Sequence, residues 1–307
     1  FAVEEWKVSD VLDLLIAARF DNVKNEIERE PFFIPEIADL YNDDNVSDNN
    51  SALTGNIGVK IHASEKSDFS INLANSFRGP DLFSKYNFAD GVIPNPDLEP
   101  EKGVFYELGY AYKSQKFKFN ANFYQNFLDN LYVPVSVDFQ GTPAVQNQAV
   151  GEAKITGFEY QLSYSIGALS SIFWTGSYIR GKNEITDDDL AFIPANQNII
   201  GFQIRNSNNA FFGRVEGIFT SKQDKPAPTE RETDAYSLFN ISAGINLHKA
   251  FPKFPHATFV LSAENLTDKE YQSHVFRGTP GNQTRFFAPG RSINAQLIIR
   301  LGVAGKH

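Results

Sequence analysis

The chain alternates. Along residues 153–166, Thr156, Phe158, Tyr160, Leu162, Tyr164 and Ile166 fall on one side of a two-residue period, with Gly157, Glu159, Gln161, Ser163 and Ser165 on the other. A period of two belongs to a β-strand with one greasy and one wet face, and no amphipathic helix produces it. The pattern recurs at 104–112 (Val104, Tyr106, Leu108, Tyr110 and Tyr112 on the apolar side), at 117–126, at 239–247 and at 293–301. The composition agrees: 28 Phe and 12 Tyr stand beside 2 Trp and no Met, and aromatic residues favour strands. The expected class is all-β.

What joins the strands narrows the architecture. Short turns fall near Ser64–Ser67, Lys113–Gln115, Gly167–Ala168 and Asn206–Asn209, and long polar segments near 25–52, 78–101, 133–151, 183–196, 222–234 and 265–290. Alternating short and long connections suit an antiparallel up-and-down barrel in an outer membrane, with short periplasmic turns and long external loops. Roughly twelve strands follow from that count. A soluble β-sandwich would reverse the faces, burying Phe, Leu and Ile. The long strands, the aromatics at strand ends and the small polar residues of the second face favour the barrel. On that reading Lys118, Glu107, Arg214, Glu216 and Arg300 face a lumen, because Lys or Arg on a barrel's lipid side costs about 2–4 kcal/mol at the bilayer midplane. Lys154, on an apolar face, lies toward a long loop where its stem can snorkel to the headgroups.

Other classes are disfavoured by what the chain lacks. With no cysteine there is no disulfide, thiolate metal site or cysteine nucleophile. The net charge of −9 and the lack of a Lys/Arg run argue against nucleic acid as a partner. The longest apolar run, Val11 to Ala18, is interrupted by Asp13 and is far short of the roughly 20 residues of a transmembrane helix. The chain opens on Phe1 inside what reads as a strand, without a leader's basic and apolar regions, and is expected to be a fragment.

Two boxes occupy the second long segment: Phe77-Arg78-Gly79-Pro80 and Asn95-Pro96-Asp97-Leu98-Glu99-Pro100-Glu101. They resemble the paired boxes of TonB-dependent outer-membrane receptors. The segments "YELGYAY" (106–112), "YQNFLDNLY" (124–132), "AKITGFEYQLSY" (153–164), "ENLTDKEY" (264–271) and "PGRSINAQL" (289–297) are similar to that family's in the same order. Family barrels have about 22 strands around an N-terminal plug. The resemblance therefore implies that residues 1–307 are roughly the C-terminal twelve or thirteen strands, with the plug domain and first strands absent. It implies a multi-pass outer-membrane receptor that captures a scarce iron chelate in external loops, a ferric siderophore first and haem second. Import would draw on TonB-derived energy through the missing plug region. Lipid and lipopolysaccharide would be its surroundings, and it would have no cofactor of its own. A structural or adhesive barrel that binds a partner protein is the alternative, and a secreted sandwich lectin is a poorer third reading.

The candidate ligand-binding residues all lie in long loops: Arg78, Tyr86, Phe88, Tyr271, His274, Arg277, Arg285 and Phe286. Aromatic faces and Arg donors suit an anionic aromatic chelate through cation–π contact and charge-assisted hydrogen bonds. Each has a plainer role: Arg78 as an anchor to a carbonyl or carboxylate, Pro80 and Pro96 as strand stops, His274 as a solvated loop residue. Haem receptors with this pattern often carry a histidine between the boxes, and none stands between Pro80 and Asn95. His62, His248 and His256 map near short turns, away from an external ligand. Asp187-Asp188-Asp189 and the group Asp43, Asp44, Asn45 and Asp48 are oxygen-rich but lack EF-hand spacing, and are read as solvated charge and not as a metal site. Asn265-Leu266-Thr267 is read as a strand end. No hydrolytic triad stands out, so no enzyme is expected. The ending "LIIRLGVAGKH" lacks the terminal aromatic usual in outer-membrane barrels.

Overall fold

In a computed structural model, residues 1–26, 47–86, 91–228, 230–275 and 286–299 are described. They form one antiparallel meander. The strands are β1 (Ala2–Ser9), β2 (Leu12–Glu26), β3 (Ser47–Ser64), β4 (Ser67–Arg78), a two-residue β5 (Val92–Ile93), β6 (Glu101–Lys113), β7 (Phe117–Phe139), β8 (Thr142–Ser165), β9 (Ser170–Asn183), β10 (Gln197–Arg205), β11 (Phe211–Thr220), β12 (Tyr236–Asn246), β13 (Ala257–Glu264) and β14 (Ser292–Ile299). Each pairs with the next in chain order, except β5, which lies off the path and adds to β8 in parallel. The sheet is not closed on itself, and β1 and β14 are its two ends.

Register turns the alternation into two continuous surfaces. Ile71 lies opposite Leu108, Leu108 opposite Phe123, and Phe123 opposite Phe158. Leu162 lies opposite Trp174, Trp174 opposite Ile200, and Val215 opposite Ile241. All but the half-buried Leu162 are exposed, Leu108 by 54% and Ile241 by 44%, although they are apolar and in register. A broad band of exposed apolar side chains across a sheet marks a surface covered by other apolar material, and acyl chains cover it on the outside of a membrane barrel. The opposite surface carries Ser70, Gly109, Asn122, Glu159 and Ser177 on one continuous rung. Lys118, Glu107, Arg214 and Glu216 share that wet face, as the sequence predicts, while Arg300 lies outside the described residues. Lys154 does reach back along the apolar side, placing Nζ 5.3 Å from the centre of the Phe127 ring.

Two boundaries differ from expectation. Residues 133–151 are no loop: β7 and β8 run 23 and 24 residues and pair to the tip at Gln140-Gly141. A tilted strand needs about 9–11 residues to cross a bilayer, so this hairpin rises well beyond it. Both tip residues have positive φ (54° and 78°), the geometry of a tight two-residue hairpin turn. An irregularity between Leu128 and Leu131, with Asn130 at φ 58°, marks where the spanning part passes into the extension. The segment 25–52 is shorter as a loop than expected, because β2 continues to Glu26 and β3 begins at Ser47.

Candidate functional site

The long-loop end of the sheet is built from side chains that satisfy backbone groups where no ladder exists. The connection between β4 and β6 contains a helical turn, Leu82–Tyr86, capped by Asp81, whose Oδ1 accepts from Ser84 N at 2.6 Å. That hydrogen bond holds the Asp81 carboxyl below the usual carboxylate range. The connection has a small core of its own: Pro80 and Pro94 are fully enclosed, and Tyr86, Ile93 and Leu98 are 8%, 7% and 2% exposed. It crosses β7 and docks on β8. Gln146 Nε2 donates to Pro94 O (2.8 Å), Asn147 Nδ2 to Ser84 O (3.0 Å), and Asn95 Nδ2 to Asn147 O (2.7 Å).

The two boxes meet at the base of this loop. Arg78 Nη1 donates to Glu101 Oε2 at 3.0 Å, and the other Glu101 oxygen accepts from Tyr132 N at 3.1 Å. Asn130 Nδ2 reaches Glu99 Oε2 and Pro100 O, both at 3.3 Å. Arg78 also sits 5.5 Å from the centre of the Tyr132 ring. Burial and the Glu101 charge push the Tyr132 hydroxyl up to about 12, so it stays a neutral donor, 3.4 Å from Arg78 O.

A second knot joins three further loops. Glu230 accepts from Phe192 N with Oε1 (3.2 Å) and from Ala227 N with Oε2 (3.2 Å), and the same Oε2 lies 3.3 Å from His274 Nε2. His274 Nδ1 lies 3.2 Å from Thr233 Oγ1. The His274 and Glu230 side chains are 1% and 2% exposed, so the histidine is enclosed between loops and not bathed in solvent. Lower on the inner wall, Asn122, Glu159, Gln161, Thr175, Ser177 and Gln197 line an open recess of about 460 Å³.

The residues picked from sequence are therefore divided between these assemblies. Arg78 anchors to a carboxylate, and Tyr86 belongs to the loop core with Lys85 Nζ 5.9 Å from the centre of its ring. Tyr271 stacks on Tyr236 at 4.4 Å between ring centres, and burial raises its hydroxyl pKa. Phe286 is 54% exposed. Phe88, Arg277 and Arg285 lie outside the described residues, as do Asp43, Asp44, Asn45 and the ending from residue 300. Asp187 and Asp189 of the acidic run lie 3.5 and 3.6 Å from Lys182 Nζ, and Asp189 is 3.6 Å from Arg180 Nε. Asn265 follows the end of β13 and closes a turn by bonding Lys269 at both its O and N (2.8 Å each). The sequence reading missed Phe83, 73% exposed beside the enclosed Tyr86, and Glu230. An aromatic next to the first box was a signal for Phe83, but nothing local marks Glu230.

An apolar band on one face, a polar wall on the other and long loops at one end are the pattern of an outer-membrane β-barrel. The family described as TonB dependent receptor-like, beta-barrel matches residues 1–266, and the chain belongs to it. Among curated relatives, the Hemoglobin-haptoglobin utilization protein B of Neisseria meningitidis serogroup C is 26% identical, over 71% of this chain and 32% of its own length. Among solved structures, the copper transporter OprC superposes with a TM-score of 0.80 at 17% identity, covering 95% of this chain and 46% of that one. The ferric-catecholate import receptor Fiu from E. coli K12 gives 0.68 at 13% identity, covering 96% and 43%. The chain thus spans about a third of the curated relatives' length and under half of the solved receptors. The solved structures bear on the fold alone.

Proposed function

We propose that residues 1–307 form the C-terminal part of the barrel of an import receptor for a scarce iron chelate, a ferric siderophore, held by the external loops. TonB-derived energy would act through a plug region outside these residues. Lipid acyl chains would cover the apolar band, and lipopolysaccharide would surround the long-loop end. The candidate ligand contacts are the exposed rings Phe83 and Phe286, with Arg78, Tyr271 and the predicted Phe88, Arg277 and Arg285 beside them. Tyr86 and His274 would support these loops from within. No step of this function requires catalysis.

The observation that carries the siderophore reading over haem is the engagement of both His274 ring nitrogens by Thr233 and Glu230. Among the described residues no other histidine lies at the long-loop end, so none there offers an open axial nitrogen to haem iron. A haem-protein source is the second reading, favoured by the name of the Neisseria relatives. Growth of a gene-deletion strain under iron limitation, supplied in turn with ferric siderophores, haem and haemoglobin, separates them. Loss on a siderophore alone supports the first reading, and loss on haem and haemoglobin the second. Growth unchanged on every source would refute import and leave the adhesive barrel.

A further inference from the structure

The apolar outer wall carries a polar notch at its long-loop end. Register puts Tyr160, Gly176, Asn198, Phe219 and Ser237 side by side on one rung that crosses β8 to β12 on the apolar face. The next rung toward the short turns is Leu162, Trp174, Ile200, Gly217 and Phe239, without a polar side chain other than the indole. Asn198, Phe219 and Ser237 each stand one residue inside the long-loop end of their strand, so the notch lies where the apolar band meets the loops.

Two aromatic donors fix Asn198. A Cβ on Gly176 would overlap the Tyr160 ring, so the glycine lets that ring lie across β9 and its hydroxyl donate to Asn198 Oδ1 at 2.6 Å. Trp174 Nε1 donates to the same oxygen at 2.9 Å, and the two rings meet edge to face at 5.2 Å. An indole nitrogen only donates, so the atom it meets is the amide oxygen, and the Asn198 NH2 is left to donate elsewhere. It has no acceptor among the described residues. Beside it opens a groove of about 410 Å³ lined by Asn198, Phe219, Ser221, Ser237 and Lys269. No Asp or Glu lines the groove, and Lys269 has no carboxylate partner among the described residues, while the neighbouring Asp268 lies 3.8 Å from Arg291. An ammonium, an amide NH2 and two hydroxyls thus form a rim of donors directly above the exposed Ile200, Trp174 and Phe239.

We propose that this groove seats the phosphate-bearing headgroup of lipopolysaccharide, with Lys269 and Asn198 donating to phosphate oxygens and acyl chains lying on Ile200, Trp174 and Phe239. A phosphate presents acceptors to a rim that presents donors, and its charge strengthens each bond. The apolar rung below suits acyl chains, which a soluble anion lacks. The long-loop end of an outer-membrane barrel faces outward, and lipopolysaccharide is the phosphate-bearing lipid of that leaflet. The groove opens on the outer wall, so it faces the membrane and neither the lumen nor the plug. Such a site needs only the outer-membrane setting of the receptor, whatever cargo it imports.

The test is lipid retention by the whole receptor, purified in non-ionic detergent and stripped of bound lipid. It is mixed with diphosphoryl lipid A, with dephosphorylated lipid A or with phosphatidylglycerol, and the retained lipid is counted by native mass spectrometry. Saturable retention of diphosphoryl lipid A is expected, with the other two lipids held about tenfold or more weakly. Asn198→Leu together with Lys269→Gln should weaken retention of diphosphoryl lipid A by about tenfold or more, as loss of hydrogen bonds to a charged group predicts. Lys269→Arg should keep it. The heat-dependent shift in gel mobility verifies that each variant barrel is folded, and Ser237→Asp, which adds a carboxylate to the groove, gives an independent loss. The proposal is overturned if dephosphorylated lipid A or phosphatidylglycerol is held as well as diphosphoryl lipid A, or if the double variant or Ser237→Asp retains diphosphoryl lipid A undiminished. None of these readouts is growth on an iron source, so failure here is distinct from failure of the import reading.

Discussion

Arg78 and Glu101 close a 3.0 Å ion pair on the last rung of the β4–β6 ladder, where the two strands part into the connection that carries the helical turn Leu82–Tyr86. The guanidinium is 60% exposed and the carboxylate 13%, so the two partners are not equivalent. Arg78→Ala should cost roughly 0.5–1 kcal/mol of local stability, the range of exposed pairs. Glu101→Ala should cost more, about 2 kcal/mol, because it also strands the Tyr132 amide. Protease accessibility of residues 79–100 on intact cells should rise in the order Arg78→Ala, then Glu101→Ala. Equal accessibility in the two variants would remove the asymmetry.

The cap on the helical turn gives a pH dependence with a defined sign. Asp81 has a lowered carboxyl pKa, caused first by the Ser84 amide, so its contribution is present above the usual 3.8 and lost as pH falls through the depressed value. Hydrogen-exchange protection of Ser84, corrected for intrinsic rate, should hold from neutral pH to about 5 and decline below about 4. Asp81→Ala should abolish that dependence and cost about 1 kcal/mol in the turn. A protection profile unchanged by the substitution would contradict the cap.

On the sheet itself, a Cβ built on Gly157 would overlap the ring of Tyr124, its cross-strand partner. The glycine is there to let an aromatic lie flat across the next strand. Gly157→Val should displace the ring and cost roughly 1–3 kcal/mol by overpacking, read as a lower urea midpoint for barrel unfolding. Gly157→Val with Tyr124→Ala should recover much of the loss, and an additive double variant would argue against the contact.

Glu230 should behave as a shared fastener. Without the Glu230 carboxylate the Phe192 and Ala227 amides each lose a hydrogen bond to a charged acceptor, about 1.5–3 kcal/mol apiece, and His274 Nε2 loses its neighbour. Since residues 1–307 contain no cysteine, Val275→Cys adds a single thiol to this stretch for labelling, with the unaltered protein as the background control. Glu230→Ala should speed its reaction with a membrane-impermeant maleimide, and Glu230→Gln less so. Identical rates in all three proteins would mean the loops do not depend on this carboxylate.

The spanning strands could be read from the sequence because lipid on one side and water on the other imprint a two-residue period, as in Val104 to Tyr112 of β6. Above the membrane both faces of a strand are wet and that imprint fades. The extension of β7 and β8, with Pro134 and Pro143 and many Gln and Asn residues, therefore looked like a loop, though Val133, Val135, Val137 and Phe139 kept the beat and Gln140-Gly141 marked the turn. The anchoring role of Arg78 was legible because its box names a partner strand end. The enclosure of His274 was not, because its partner Glu230 is 44 residues away and loops carry no periodicity to align them.

The two residues of β5 have an effect out of proportion to their length. Above Ala153, where β9 first meets it, β8 extends past its β9 partner and leaves the flank opposite β7 without a neighbouring long strand. Val92 and Ile93 take up the flank at Val145 and Gln146, and the Asn95 side chain reaches Asn147 just beyond. An uncovered strand margin invites neighbouring chains to zip onto it. The loop thus acts as a guard rail, and receptors crowded in one bacterial envelope can stand side by side without fusing into larger sheets.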